Sequence, residues 1–273
     1  MDRPLPHRFA PLQKNVVTLD EGTFVWEYEN APLAFEAFAM VRWEARGFLK
    51  KKRTGMRLLS SVTSPDGSFD LESCWEYDKR LFPTHIEVIN RGQAVERDGD
   101  KRAVFSFGDE NAQLKMGSAN NLTALNIGYE SGWLVAVEPS IMPYIAMLGR
   151  YDMTQKTEQS FTVLRTSAMD NFFTLTKIHL SLKHVRSFDA PEQLGKRTQI
   201  HCFSGSEKIV ERDLSKASIP HRTVHLWCDG DKRLRKVLFA TDAQDVTAIR
   251  QGDEDLSSLL RPREEASSQF ENG

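Results

Sequence analysis

Histidine and tyrosine are the side chains of this chain best suited to proton transfer near neutral pH. Tyr144 offers a hydroxyl within the apolar segment 138–152, and His184 shares a predicted strand face with aliphatic residues. His201 and His225 alternate onto the face opposite the aliphatic residues of their strands. We therefore predict Tyr144, His184, His201 and His225 as candidate catalytic residues, acting as general acids or bases.

Sequence motifs for common cofactors are absent. The chain has no phosphate-binding glycine loop, dinucleotide fingerprint, nucleophile elbow or H-E-x-x-H zinc motif. His201, Cys202, His225 and Cys228 carry zinc-type ligand atoms. Strand alternation places His201 and Cys202 on opposite faces, which argues against a shared metal. We therefore predict no cofactor and no metal.

Aromatic and methionine residues are spread over the predicted strands and the central segment. In a curled sheet, those on the concave face would line an apolar cavity. The alternative is that each of them simply fills the core. The predicted ligand-binding residues are Trp26, Trp43, Trp75, Tyr77, Trp133, Met142, Tyr144, Met147 and Trp227.

Period-two alternation is the main structural signal. Phe24, Trp26 and Tyr28 alternate with polar residues, and residues 69–77 give the cleanest example of one apolar and one polar face. The next run places Phe35, Ala37, Ala39, Val41 and Trp43 on alternate positions, where a helix is the competing interpretation. Up to nine strands precede residue 138 with links too short for crossover helices, which indicates an antiparallel meander.

The segment Glu138–Asp152 interrupts the strand pattern. Ser140 suits a helix N-cap, Pro143 suits the first turn, and Gly149 suits the stop position after the last turn. The segment is apolar nearly all round, so we predict a short helix over 139–149 that is covered on most sides. Strands resume after it, and Asp229-Gly230 predicts a two-residue hairpin.

Bulk properties describe an ordinary globular protein. The 273 residues are 40% hydrophobic and 27% charged, with a net charge of -2 that gives no electrostatic case for nucleic acid. We predict an extended arm over 1–20, one β-barrel-like domain over 21–250 and an acidic disordered tail over 251–273. Three sparse cysteines and an N-terminus without an apolar stretch predict a cytoplasmic protein, with no run long enough to span a membrane.

The segments Glu138-Pro139-Ser140 and 227–234 carry a resemblance. The layout resembles an uncharacterised bacterial family of curved antiparallel sheets, similar in outline to lipoprotein-carrier half-barrels and lipocalin-like folds. Members show an N-terminal meander, a central Asp-Pro-x-Ser-type crossover, and a second meander with a tryptophan followed by an Asp-x-x-Arg-Leu-type hairpin. The resemblance implies the fold over about residues 23–250 and implies no catalytic residues.

The predicted fold class is all-β: a strongly curved antiparallel sheet or open β-barrel with one short central helix. We predict binding of a small lipophilic molecule, such as a lipid, isoprenoid or polyketide-like compound, in an aromatic-lined cavity. One alternative is a cofactor-independent cyclase, isomerase or dehydratase in the same cavity. A further alternative is a protein-interaction scaffold, and a homodimer is left open.

Overall fold

The computed structural model describes residues 16–46, 52–68, 70–92, 100–108, 110–118, 121–155, 157–168, 175–189, 199–213, 222–241 and 244–252. Fifteen strands and one helix are assigned in this part of the chain. Before the helix come β1 (Val16–Tyr28), β2 (Ala31–Arg46), β3 (Lys52–Thr63), β4 (Asp70–Tyr77), β5 (Pro83–Asn90), β6 (Lys101–Phe107), β7 (Asn111–Ser118), β8 (Asn121–Gly128) and β9 (Leu134–Glu138). Then come α1 (Met142–Arg150), β10 (Gln159–Ser167), β11 (Leu175–Asp189), β12 (Gln199–Asp213), β13 (Arg222–Asp229), β14 (Leu234–Thr241) and β15 (Asp245–Arg250).

All fifteen strands belong to one curved sheet, ordered β8-β7-β6-β5-β4-β3-β2-β1-β15-β14-β13-β12-β11-β10-β9. Strand β15, the last in the chain, pairs with β1, the first in the chain, which joins the two meanders at the middle of the sheet. Neighbours are antiparallel except β9 and β10, which are parallel because α1 carries the chain across between them. Among the described residues the sheet edges β8 and β9 are not hydrogen-bonded to each other, so the all-β, curved and unclosed fold predicted from alternation is confirmed.

The main core lies on the concave side and includes the helix. Residues Met142 to Leu148 are all buried, which agrees with the prediction of a covered helix. The N-terminal end of α1 contacts β2, because the Ile141 backbone N–H donates to Glu36. The side chain of Tyr144, on α1, packs edge-on against Phe239 of β14, with 5.3 Å between the ring centroids. The helix therefore links the two halves of the sheet.

Helix α1 differs from the prediction at both ends. Ile141 is the N-cap residue and has no side-chain cap, whereas the Ser140 hydroxyl accepts from the Met142 N–H at 3.2 Å. Gly149 is inside the helix rather than after it. A Cβ at Gly149 would lie 2.4 Å from Leu81 Cδ1, so the glycine allows close packing rather than a left-handed stop.

The strand character predicted for residues 35–43 is confirmed, and the structure shows which of its faces is inward. Ala34, Glu36 and Phe38 are buried on the concave side, while Phe35 is 42% exposed. Both sets of alternate positions carry apolar residues, so periodicity alone could not choose between the two faces. The orientation of the strand is set by Glu36, because the hydrogen-bond donors to its carboxyl group lie on the concave side.

Two boundaries also differ. Strand β1 begins at Val16, inside the predicted arm, and the hairpin after β13 has a four-residue loop, 230–233. The loop is longer than predicted because the Asp229 carboxylate accepts from the backbone N–H groups of Asp231 and Arg233. The remaining arm residues 1–15 and the tail from 253 lie outside the described residues. No helix within the described ranges is long and apolar enough to cross a membrane.

Candidate functional site

A half-open cavity of about 860 Å³ lies between the central crossover and the strands where the two meanders join. Its apolar wall includes Trp26 from β1, Tyr144 from α1 and Phe239 from β14. The indole of Trp26 stacks on Phe239 with 5.8 Å between centroids and 4° between planes. These aromatic residues come from distant parts of the chain, and the sheet order brings them onto one wall.

Four charged residues line the same cavity: Asp66, Glu138, Arg165 and Arg222. Asp66 lies on an exposed turn, where hydrogen bonds from Ser64 and Ser68 lower its pKa to about 2. The other three residues form a cluster on β9, β10 and β13, respectively. The cavity is therefore apolar on one side and charged on the other.

Glu207 of β12 anchors the charged cluster from behind the cavity wall. Its Oε2 lies 2.5 Å from Arg165 Nη1, and its Oε1 lies 2.8 Å from Arg222 Nε. Glu207 is 3% exposed and Arg165 is 5% exposed, so the cluster is largely removed from water. Arg222 also pairs with Glu138 through Nη1 and Oε1.

Tyr144 connects the charged cluster to the aromatic wall. Its hydroxyl oxygen accepts a hydrogen bond from Arg222 Nη2 at 3.0 Å. Burial raises the pKa of Tyr144 well above its ordinary value of 10.0, so the hydroxyl stays protonated at neutral pH. Burial of Arg222 disfavours its charge, but the nearby Tyr144, Glu138 and Glu207 oxygens raise its pKa overall. Tyr144 can thus donate a hydrogen bond into the cavity but is a poor base.

A second buried acid, Glu36, lies behind the wall. Its carboxyl group accepts from Trp26 Nε1 at 3.0 Å, Ser60 Oγ at 2.8 Å and Ser140 Oγ at 2.8 Å. The Ile141 N–H donates to both of its oxygens. Two of these donors, Trp26 and Ser140, line the cavity, whereas Glu36 does not. Glu36 therefore fixes the positions of cavity residues rather than contacting cavity contents.

The pKa of Glu36 is set by opposing effects. Burial raises it from 4.5 to about 7, against the opposing effect of the hydrogen bonds from Ser60, Ser140, Ile141 and Trp26. The acid therefore changes its protonation state near neutral pH, unlike an ordinary surface glutamate.

Glu36 should make the protein less stable as pH rises. The folded state holds its proton up to about pH 7, while the unfolded chain releases it near 4.5, so the folded state binds more protons in between. This stabilisation is full below the unfolded pKa and is lost as pH rises through the folded pKa. Urea denaturation at pH 5 and pH 8 should show a fall of about 2–3 kcal/mol from this group.

Glu36→Gln is the reference for that measurement, because it has a similar shape and does not titrate. The free energy of unfolding of the wild type minus that of the variant should decline between the two pH values. Parallel pH profiles for both proteins would show that Glu36 does not titrate in this range.

The predicted ligand-binding residues lie in five different places. Trp26 and Tyr144 line the large cavity. Core positions on the concave side are taken by Trp75, Tyr77, Met142 and Met147. Trp133 borders a smaller cavity of about 630 Å³, under the Lys177 ammonium group at 4.2 Å from the ring centroid. Trp227 belongs to a small apolar cluster outside this core, and Trp43 is half-buried beside Gly55.

The predicted histidines do not line either of these two cavities in the described structure. His184 and His201 lie together, with Ser187 Oγ at 2.9 Å from His184 Nε2 and 2.8 Å from His201 Nδ1. Burial and the neighbouring His184 lower the pKa of His201. His225 lies beside Trp227, and burial lowers its pKa. Of the four candidate catalytic residues, Tyr144 is the one that reaches the large cavity.

The sequence alone predicted neither the charged cluster at the cavity wall nor the buried acid behind it. Glu36 carried a weak signal, because it is a lone acid among apolar residues in a strand. The cluster of Glu138, Arg165, Glu207 and Arg222 carried none, because its members are far apart in sequence. No group of three or more His, Cys, Asp or Glu residues suited to a metal ion is found in the part of the chain that the structure describes.

Comparison with known proteins gives no match among protein-family models and none among curated proteins. The matching solved structures include the following two. One is a β-barrel-like protein of the domain of unknown function DUF1849 from Brucella abortus, with a TM-score of 0.47, 11% identity, and coverage of 84% of this chain and 94% of that one. The other is a DUF1089 family protein from Pseudomonas aeruginosa, with a TM-score of 0.38, 11% identity, and coverage of 71% and 86%.

Neither protein is described as a lipoprotein carrier or a lipocalin, so that part of the resemblance stays a prediction. The function of this chain must therefore be inferred from the geometry of its cavity.

Proposed function

We propose that this protein binds a small lipophilic molecule, such as a lipid, isoprenoid or polyketide-like compound, in the large cavity. The observation that carries the proposal is a half-open space of about 860 Å³ with an aromatic wall and a few convergent polar groups. Sites for small molecules commonly have this size and this combination of surfaces. A filled core would have favoured the scaffold alternative instead.

The aromatic wall supplies affinity for an apolar ligand. Apolar surface removed from water contributes about 25 cal/mol per Å², so an aliphatic chain against Trp26 and Phe239 gains several kcal/mol. The wall is preorganised, because Trp26 is held by Glu36 and stacked on Phe239. Fewer rotamers are then lost on binding, which also favours affinity.

Binding without catalysis is preferred to the enzyme alternative. The three predicted histidines are away from the cavity, and Glu36 is behind its wall. Tyr144 is the predicted catalytic residue that faces the cavity, and its raised pKa suits a hydrogen-bond donor rather than a base. A cyclase or isomerase would need a free base positioned against the substrate, and the cavity carboxylate Glu138 is instead paired with Arg222.

The proposal includes a cytoplasmic location. Cys74, Cys202 and Cys228 are unpaired and buried, as is usual in a reducing compartment. Burial raises the pKa of the Cys74 thiol to about 12, so this thiol is unreactive at neutral pH. A homodimer is kept as a prediction.

Narrowing the cavity should weaken ligand binding. Val246 lines the cavity from β15 and is only half-buried, so Val246→Trp can extend into the open space without displacing the core. Titration with N-phenyl-1-naphthylamine, a neutral fluorescent probe, should show at least a tenfold loss of affinity relative to the wild type.

The matched control is Val185→Trp. Val185 is 58% exposed on β11 and does not line the cavity, so the same substitution should leave probe binding unchanged. Equal binding by the wild type and both variants would place the probe elsewhere, and absence of binding to the wild type would remove the proposal.

A further inference from the structure

The two carboxylates of the charged cluster are held differently. Glu207 uses both oxygens on arginine side chains, while Glu138 pairs through Oε1 with Arg222 and lies 3.9 Å from Arg165 Nη1. The Glu207 side chain is 3% exposed and the Glu138 side chain is 37% exposed. Glu138 can therefore leave the cluster toward water far more easily than Glu207.

Departure of Glu138 would leave an unbalanced charge at the cavity wall. Arg165 and Arg222 carry two positive charges, and Glu207 balances only one of them. Both guanidinium groups are nearly buried, with side-chain exposures of 6% and 12%. A buried charge without a counterion is strongly unfavourable, so the vacated position would attract an anion.

Hydrogen-bonding capacity at this wall is already incomplete. Arg165 Nη2 and Thr166 Oγ1 are buried atoms of cavity-lining residues on β10, and neither has a hydrogen-bond partner among the described residues. Arg165 is 5% exposed and Thr166 is 2% exposed. An incoming group reaches Arg165 Nη2 only if a neighbouring side chain moves, and Glu138 is the partly exposed neighbour in the cluster. A carboxylate or phosphate suits the planar donor array of arginine.

We infer that the Glu138 carboxylate occupies the position in which the anionic head group of a ligand binds. The inference rests on the proposed function, and the ligand is then an amphiphile with a carboxylate or phosphate at one end. The head group displaces the Glu138 carboxylate from Arg222 and takes the unused Arg165 donor, while the apolar chain lies along Trp26 and Phe239. Tyr144, hydrogen-bonded to Arg222, borders both parts of the ligand.

The test is displacement of N-phenyl-1-naphthylamine by four amphiphiles of equal chain length: laurate, dodecyl phosphate, dodecanol and dodecylamine. The wild type should prefer the two anions, and the difference between laurate and dodecyl phosphate identifies the head group. Glu138→Gln removes the competing charge and should raise affinity for both anions about tenfold, with dodecanol unchanged.

Asp66→Asn is the matched control, because it also removes one negative charge from the cavity lining, and Asp66 bonds to Ser64 and Ser68 rather than to the arginines. It should change anion affinity by less than about twofold, since an exposed charge is screened by salt. Preference for dodecylamine, or equal anion affinity for Glu138→Gln and the wild type, would overturn the inference. Failure of the probe to bind the wild type would instead remove the proposed function.

Discussion

Replacing Glu36 by alanine should lower the free energy of unfolding by about 3–5 kcal/mol, among the largest effects of any single substitution in this protein. The carboxyl group satisfies the indole N–H of Trp26, the hydroxyls of Ser60 and Ser140, and the backbone N–H of Ile141. Alanine would leave these donors buried without an acceptor and would open a cavity. Urea denaturation followed by tryptophan fluorescence measures the loss.

The comparison variant is Glu76→Ala. Glu76 is also a strand glutamate bonded to a partner, Arg57, but its side chain is 27% exposed. A pair in contact with water contributes only about 0–1 kcal/mol, so this variant should be close to the wild type. If both variants lost a similar amount of unfolding free energy, the buried network around Glu36 would contribute no more to stability than an exposed ion pair.

The Glu36 network also bears on function, because it joins three separate parts of the fold. Trp26 is on β1, Ser60 is on β3, and Ser140 precedes α1. One acid therefore fixes the aromatic wall, the sheet and the crossover relative to one another. Loss of Glu36 should weaken ligand binding even in molecules that stay folded.

Much of the fold could be predicted from alternation. Phe24 and Trp26 are buried as the period-two pattern indicates, the up to nine strands predicted before the crossover are all present, and strands resume after it as predicted. Antiparallel pairs joined by short links are local in sequence, so turn residues and periodicity are enough to identify them. The apolar helix could be predicted from composition, since an element without a polar face must be covered.

The site could be predicted only in part. Trp26 could be predicted because aromatic residues on a curled sheet tend to face its interior, and Tyr144 because it offers a hydroxyl within the apolar central segment. The inward orientation of Glu36 could not be predicted, because the residues on either side of it are also apolar. Its true orientation depends on Ser140, which is 104 residues away.

The arginine cluster shows the general difficulty. Arg165 and Glu207 are 42 residues apart, and their contact depends on the registers of β10, β11 and β12. The β11–β12 pairing also contains two register shifts, which no local sequence signal marked. Charged residues in strands are usually predicted to face solvent, so a buried ion cluster is visible only once the sheet is assembled.

The second large effect is expected for Glu207→Gln, which should lower the free energy of unfolding by about 3–5 kcal/mol. The substitution keeps the side-chain shape but leaves Arg165 buried, with the Glu138 carboxylate 3.9 Å from its Nη1. Glu87→Gln is the control, because its partner Arg102 has a side chain that is 33% exposed and can be hydrated. The control should lose about 1 kcal/mol or less.

A double-mutant cycle distinguishes the loss of the Arg165–Glu207 ion pair from a general destabilisation of the core. Arg165→Met together with Glu207→Gln removes the uncompensated charge, so the double variant should be more stable than Glu207→Gln alone. The same double variant should also lose the preference for anionic over neutral amphiphiles, since it lacks Arg165, one of the two arginines of the proposed head-group site. Additive losses in stability would show that the two residues act independently, against the geometry of their 2.5 Å contact.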